Sequence, residues 1–380
     1  MEKEVVPSFA NIEEVINYQA KKERFEMVDG YPRDGYAALY DMENRISSLI
    51  GLNNEWRLEL FGCGMLAVTE VIELDFPTKD SVILYGQDLY NQSLYFVNEE
   101  LHPRGIKTIG VESDSLLDIE QTIKKYRPDV ILLETVTNGP SMTVLDVEKF
   151  LEISALDYNP LIVLDNSLPI SSILPPSEII EDKARKIIVV ESGTKFFSLN
   201  RTMAGLAYTK NEYLKRRMMY RRRCRGTLLV PESAKILGKT LPGTKTEFDL
   251  RNRLVVSNTS ELTRACFEVE NEDDVFITTY PNLDSYEKSE FVNSKYPHGC
   301  SPVFFLGCLG ELNQFELTER LWENPIIRKY CNLGQSFGFD RTRIWPDPHF
   351  DVIRIAGGTE NKAEIQELSE AFKETLSKIN

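Results

Sequence analysis

Histidine is nearly missing from this chain: His102, His298 and His349 are the only three in 380 residues. None is spaced as metal ligands on one helix would be, so a structural zinc site or a two-histidine metalloprotease helix has no candidate. The six cysteines (Cys63, Cys224, Cys266, Cys300, Cys308 and Cys331) form no Cys-x-x-Cys pair and no ladder. Reduced thiols fit that spacing better than a disulfide framework. No apolar run approaches the roughly 20 residues needed to cross a bilayer. The N-terminal MEKEVVPSFANIEEV is acidic and lacks an apolar signal core, so secretion is not expected. Positive charge is in deficit, with a formal net charge of −15. That balance argues against non-specific nucleic-acid binding and for a soluble cytoplasmic protein. No Gly-x-Gly-x-x-Gly and no P-loop follows any apolar run, which removes the common nucleotide-binding readings. Catalysis must therefore draw on other side chains or on a bound cofactor.

What is present is the composition of a globular protein, 42% hydrophobic and 27% charged. The length exceeds one hydrophobic core, so two domains are expected. Between about residues 55 and 210, short Val/Ile/Leu-rich runs recur: SVILYG (81–86), IKTIGV (106–111), DVILLET (129–135), LIVLD (161–165), KIIVVESG (186–193) and AGLAYTK (204–210). They do not alternate, as strands buried on both faces do not. LLDIEQTIKKY (116–126) and VEKFLEIS (147–154) read as intervening helices, and this rhythm predicts a mostly parallel α/β sheet. After about residue 230 a long helical stretch, roughly 247–270, precedes VFITTYP (275–281), SPVFFLGC (301–308), DVIRIAGG (351–358) and a terminal helix at 361–378. The expected division is an N-terminal arm (1–46), a large α/β domain (47–232) and a smaller C-terminal α+β domain (233–380). KRRMMYRRRCRG (215–226) carries seven Lys or Arg; it reads more readily as a helix pairing with the protein's own carboxylates than as a phosphate patch.

In open parallel sheets ligands sit beyond the C-terminal strand ends. Asp165 and Asn166 follow LIVL, and Lys195 follows KIIVVESGT one strand later. Near the start of the sheet, LFGCGMLAVTEVI (60–72) sets a Gly-x-Gly turn before an amphipathic helix, whose free N–H groups suit an anion. Alone, Asp165 could be a loop residue and the turn an ordinary helix start. Jointly a lysine, a carboxylate and a phosphate cup describe a holder for pyridoxal 5′-phosphate. Lys195 supplies the Schiff-base amine, desolvated between Phe196, Phe197 and the cofactor; Asp165 keeps the pyridine nitrogen charged; Ser192 and Thr194 offer hydroxyls to the phosphate.

The chain resembles the pyridoxal-phosphate enzymes of cysteine and methionine metabolism, the group of cystathionine γ-lyase, cystathionine γ-synthase and methionine γ-lyase, over about residues 28 to 376. The resemblance implies the aspartate-aminotransferase-like fold (fold type I). Tyr31-Pro32-Arg33 is similar to the family's Tyr-x-Arg, which implies that this arm reaches the phosphate of a neighbouring subunit in a homodimer or homotetramer. Cys63-Gly64-Met65 resembles the Ser-Gly-Met phosphate turn with cysteine for serine. Tyr90 resembles the ring-stacking tyrosine, and Glu134 to Asn138 the Glu-x-x-x-Asn segment whose asparagine lies near the cofactor's phenolic oxygen. Asp165-Asn166-Ser167 is similar to Asp-Asn-Thr, and Ser192-Gly193-Thr194-Lys195 to Ser-x-Thr-Lys. Ser336 and Arg354 fall where relatives bind the substrate α-carboxylate. Plainer readings stay open: Tyr90 as packing, Arg354 as a structural ion-pair partner, Cys63 as a small buried side chain.

The family's Asn-Pro-Thr is missing after Arg33, its Gly-His-Ser-Asp after the lysine is replaced by SLNRTMAG, and its Arg-Gly-Leu-Lys-Thr-Leu run by LGKTLPGT. These departures leave the cofactor residues intact and put the substrate in question. The expectation is a lyase or transferase acting on an L-amino acid by β- or γ-elimination or γ-replacement, with Lys195, Tyr90 and Asp165 catalytic. The alternatives are an aminotransferase or other specialised biosynthetic enzyme of this cofactor, and a non-catalytic binding protein of the same fold.

Overall fold

The computed structural model describes residues 35–74, 78–155, 157–270, 275–310 and 312–379; Tyr31 and Arg33 lie outside them. Seven strands form the larger sheet: β1 Arg57–Phe61, β2 Val82–Gly86, β3 Lys107–Val111, β4 Val130–Glu134, β5 Leu161–Asp165, β6 Ile187–Ser192 and β7 Gly205–Thr209. Their spatial order is β1-β7-β6-β5-β4-β2-β3. Only β7 opposes its neighbours, so the other six strands all end on the same edge. β4 and nearly all of β5 and β6 are buried, as uninterrupted β-branched and leucine runs require when both faces are covered. Ile131, Leu133, Ile162 and Val189 face one core; Val130, Leu132, Val163 and Ile188 face the other.

Five strands make the smaller sheet: β8 Phe276–Thr279, β9 Val303–Cys308, β10 Asn332–Leu333, β11 Arg343–Asp347 and β12 Val352–Ala356, in the order β10-β11-β12-β9-β8. The helix Lys245–Phe267 opens on a Thr244/Glu247 capping box, which satisfies N-terminal N–H groups reciprocally. It joins the two halves. Its early residues meet the large sheet's side, with Phe248 4.9 Å from Phe197 and Asn252 Nδ2 donating to Ser172 Oγ at 2.9 Å. Further along, Asn258 Nδ2 donates to the carbonyls of Gly358 and Glu360 beside the small sheet. The divisions expected at 46/47 and 232/233 both fall within helices, Ala37–Leu49 and Pro231–Thr240. Those helices are tied together by Arg45 Nη1 donating to Gly238 O at 3.0 Å, so a cut at either point would split a packed unit. Among the described residues no helix is long and apolar enough to cross a membrane.

β1 (RLELF) was not expected as a strand, because Arg57 and Glu59 interrupt its apolar pattern. Glu59 is buried nonetheless, paired with Arg57 at 2.6 Å and with Arg222 at 2.5 Å. Arg222 is 1% exposed and also pairs with Glu43. One residue earlier, Arg221 pairs with Glu70 at 2.6 Å and Glu73 at 2.5 Å. The helix Glu212–Arg225 thus turns part of its basic run inward onto the protein's own carboxylates. Removing one partner of a buried pair strands the other charge. Arg222→Leu is expected to cost about 3–5 kcal/mol, measured as a fall in the urea midpoint; a change within error would mean that the network is dispensable.

The buried carboxylate of Glu191 has no cation among the described residues. Glu191 Oε1 accepts from Tyr208 Oη at 2.8 Å, from Asn166 Nδ2 at 3.0 Å and from Ser171 Oγ, while Oε2 has no partner. Burial lifts its pKa to about 7, against the pull of those three bonds. The folded protein therefore holds this proton between 4.5 and 7 while the unfolded chain releases it. The stability it lends is full below 4.5 and lost as the pH rises through 7. Glu191→Gln, neutral at every pH, is expected to match the parent near pH 4.5 and to exceed it by roughly 3 kcal/mol at high pH. Urea melts showing a pH-independent difference would contradict this.

Candidate active site

Because six strands of the large sheet end on one edge, the residues following them converge there. β1 leads to Cys63 and Gly64, β2 to Tyr90, β4 to Glu134 and Asn138, β5 to Asp165, and β6 to Ser192, Thr194 and Lys195. All of these line one cavity of about 520 Å³, which is closed from the other side by Phe305, Ser336, Phe337, Asp347 and Arg354. Met65 and Ser167 also line it.

Cys63 caps the helix Gly64–Ile72, with Sγ accepting from Leu66 N at 3.4 Å. It is half-buried at the cavity wall, not a buried filler. The N–H groups of Gly64 and Met65 have no acceptor among the described residues. A Cβ at Gly64 would stand 3.3 Å from Ser192 Cβ, and one at Gly205 would collide with the carbonyl of Cys63. Glycine at both positions lets the turn, the end of β6 and the start of β7 crowd together around an open anion cradle. Ser192 N donates to Ser167 Oγ at 2.8 Å, which fastens β6 to β5 at the rim. Thr194 Oγ1 donates to Ala204 O at 3.3 Å and accepts from Ala204 N at 3.1 Å. Its hydroxyl proton is therefore committed to the backbone, and the expected phosphate contact from it is not available in this arrangement.

Asp165 and Glu134 sit opposite one another in the β4–β5 register, so both side chains project from the same face. Burial raises the Asp165 pKa, resisted by hydrogen bonds from Ser167, whose N–H lies 2.9 Å from Oδ1. Glu134 is pushed well above the carboxylate range by burial and by Asp165 beside it, resisted by the N–H groups of Tyr90 at 2.6 Å and Asn138 at 3.2 Å. No cation among the described residues pairs with Asp165. Asn166 turns away into the core, bonded to Glu191 and Thr135. Tyr90 is 43% exposed at the mouth, so it is a wall residue rather than core packing.

Lys195 Nζ donates to Ser336 Oγ at 2.6 Å. Burial first, and the Arg354 charge second, lower its pKa to about 8. The aromatic ring beside it is not Phe196 or Phe197. Phe196 packs at a tilt on Phe337 at 5.8 Å and Phe197 on Phe248 at 4.9 Å, because the turn after Lys195 directs both into the core. Phe337 takes that place, its ring centroid 5.3 Å from Lys195 Nζ and 5.5 Å from the Arg354 guanidinium. Sequence reasoning missed Phe337; the signal was an aromatic directly after Ser336. Arg354 is opposite Trp345 and Phe305 in the small sheet. Its Nη2 donates to Asn138 Oδ1 at 2.8 Å, and its buried Nε has no partner. Burial lowers its pKa to about 10, against the attraction of Asp347 and Tyr90. No carboxylate of the described residues pairs with it, so it is not a structural ion-pair partner. Asn138 spends its carboxamide oxygen on Arg354.

These groups fit pyridoxal phosphate: an anion cradle lacking a Cβ, a buried carboxylate without a counter-ion, a desolvated amine and a guanidinium with an orphaned Nε. The fold agrees. A solved cystathionine gamma-lyase from Lactobacillus plantarum, complexed with L-serine, superposes with a TM-score of 0.75 at 18% identity, covering 93% of this chain and 90% of that one. A cystathionine gamma synthase from Xanthomonas oryzae pv. oryzae, complexed with aminoacrylate and cysteine, gives 0.76 at 16% identity over 94% and 90%. The architecture is that of the fold type I pyridoxal-phosphate enzymes. The model of the Cys/Met metabolism PLP-dependent enzyme family matches residues 9–326, and the chain belongs to that family; its cofactor is pyridoxal 5′-phosphate. An L-methionine gamma-lyase of Fusobacterium nucleatum is 25% identical over 317 residues, 83% of this chain and 74% of that protein.

The lysine environment predicts a labelling pattern in cofactor-stripped protein. Lys195 should acetylate with a midpoint near pH 8, whereas exposed lysines follow the ordinary value of about 10.4. Arg354→Ala, by removing a positive neighbour, should move the Lys195 midpoint upward. A Lys195 midpoint in the surface range, measured by peptide mass spectrometry, would contradict the geometry.

Proposed function

We propose that this protein is a lyase that cleaves a β or γ substituent from an L-amino acid, or replaces it, using pyridoxal phosphate. The observation that carries the reading is the Lys195 amine, desolvated and held by Ser336 in the same cavity as Asp165 and Arg354. In this reading the N–H groups of Gly64 and Met65 and the hydroxyl of Ser192 hold the phosphate. Asp165 would supply the carboxylate for the pyridine nitrogen, and Lys195 the amine that holds the cofactor. The bound cofactor supplies an electron sink for charge developing at the substrate Cα.

The remaining work belongs to the chain. Arg354 receives the substrate carboxylate, since its orphaned Nε and its unpaired charge favour an anion. Fixing the carboxylate also fixes the direction of the Cα–H bond. The Lys195 amine would take the Cα proton; an amine with a pKa near 8 is matched to that task at neutral pH. It can return the proton farther along the substrate. Tyr90, at the mouth, is assigned to assist the leaving group at the β or γ carbon. Burial raises the Asp165 pKa, and a cationic ring nitrogen would offer the counter-charge that favours its ionised form. The assembly is read as a homo-oligomer with shared sites, supported by the resemblance at Tyr31 and Arg33 and not by any described contact.

Purified holoenzyme should release ketoacid and ammonia from cystathionine, cysteine or an O-acyl-homoserine without a ketoacid acceptor. Lys195→Ala should lose the cofactor's visible absorbance and about a thousandfold in kcat. Ketoacid appearing only when a second ketoacid is supplied would replace this reading with transamination. Absorbance that survives in Lys195→Ala would remove the lysine assignment.

A further inference from the structure

The stretch SLNRTMAG stands where relatives carry Gly-His-Ser-Asp, and the reading above gives it no task. It holds two consecutive non-glycine residues at positive φ, Leu199 at 53° and Asn200 at 58°. Such backbone is disfavoured for L-residues and persists where the surroundings hold it, asparagine being among the more tolerant. The turn closes on the lysine segment itself, with Asn200 N donating to Thr194 O at 2.7 Å and Ser198 N to Gly193 O at 3.0 Å. From there the Asn200 side chain reaches the loop that precedes β11. Its Nδ2 donates to Phe337 O at 2.8 Å, and its Oδ1 accepts from Ser336 Oγ at 2.9 Å. Ser336 is also at positive φ, 80°.

The direction of every bond in this chain is fixed by chemistry. A carbonyl can only accept, so the amide end of Asn200 must face Phe337 and its oxygen must face Ser336. The Ser336 hydroxyl has one proton, and Asn200 takes it. Towards Lys195, 2.6 Å away, Ser336 therefore presents lone pairs only.

We propose that Asn200 is a positioning residue for Lys195, acting through Ser336: it locks the hydroxyl as an acceptor, so that Ser336 grips the amine by an N–H and leaves its lone pair for the cavity. The proposal rests on the assignment of Lys195 as the proton-moving amine. It also relieves Ser336 of the carboxylate contact expected from the resemblance, since the proton such a contact needs is already spent; the carboxylate is left to Arg354. Without Asn200 the hydroxyl can rotate and donate to the neutral amine, which competes with the proton for the same lone pair.

The test compares holoenzyme of the parent with Asn200→Gly, which tolerates φ 58° without strain, and Asn200→Asp, which keeps the acceptor but adds an anion. Tyr90, Glu134, Asp165, Asp347, His349 and Arg354 line the same cavity and are common to all three proteins, so differences between pH profiles report on position 200. The readouts are kcat against pH and the pH titration of the holoenzyme's visible absorbance. Asn200→Gly should lower the acidic limb of kcat by about half a pH unit and reduce kcat about tenfold, with KM within about twofold. Asn200→Asp should raise the limb. Limbs that move together or not at all, or a loss carried by KM alone, overturn the proposal while leaving the lysine assignment standing. Failure of that assignment shows separately, as visible absorbance retained in Lys195→Ala.

Discussion

Two hydrogen bonds from cations lining the cavity join one sheet's residues to the other's. Lys195, just beyond β6, donates to Ser336 in the loop before β11; Arg354, on β12, donates to Asn138 beyond β4. Each bond pairs a cation from one half of the protein with a neutral acceptor from the other. Neither cation is neutralised, so the halves are pinned together without cancelling the positive charge between them. A carboxylate in place of Ser336 or Asn138 would hold the halves as well, but it would remove the field that the site uses.

That field explains the unequal treatment of charge across the molecule. Away from the cavity, buried ions are paired: Arg222 with Glu43 and Glu59, Arg221 with Glu70 and Glu73. Burial without pairing is costly and is usually avoided. At the cavity the same protein leaves Lys195, Arg354 and Asp165 uncompensated, and their pKa values move in the directions that burial dictates. In the proposed reading a phosphate, a substrate carboxylate and a cationic ring nitrogen would complete the balance. Outside the site Glu191 and Glu360 are buried without a cation among the described residues, and burial raises the pKa of both.

Much of this was legible from the sequence, for a physical reason. Strands buried on both faces read as unbroken apolar runs, so β4 to β7 were located, and so were the residues following β4, β5 and β6; β2 and β3 were located too, although β3 is the edge strand, with Val111 its one buried residue. β1 was not, because its Glu59 is buried through an ion pair with a residue 163 positions away, Arg222, and pairing of that kind leaves no local mark. β11 was missed because RIWPD carries a proline and charges that argue against a strand. Phe337 was passed over for Phe196 and Phe197, since adjacency in sequence says nothing about which way a turn sends its side chains. Thr194 shows the same limit: its hydroxyl is close in sequence to the lysine but is taken by Ala204, ten residues on.

The departures from the family pattern fall into a physical order. The Cys63 substitution preserves what a phosphate cradle needs, because backbone N–H groups and the absence of a Cβ at Gly64 do not depend on the side chain at 63. Replacing Gly-His-Ser-Asp with SLNRTMAG looks more disruptive, yet Asn200 ties that turn to Phe337 and Ser336, and of the stretch Met203 is what lines the cavity. The cavity wall beyond Arg354 is built instead by the β11–β12 hairpin, with Asp347 on its strand and His349 and Phe350 at its tip. That hairpin belongs to the small sheet, so it can vary in length and composition without disturbing the strand ends that hold the cofactor residues. In the proposed reading the cofactor residues follow strands of the large sheet while Arg354 and this hairpin belong to the small one, so the second can change without moving the first.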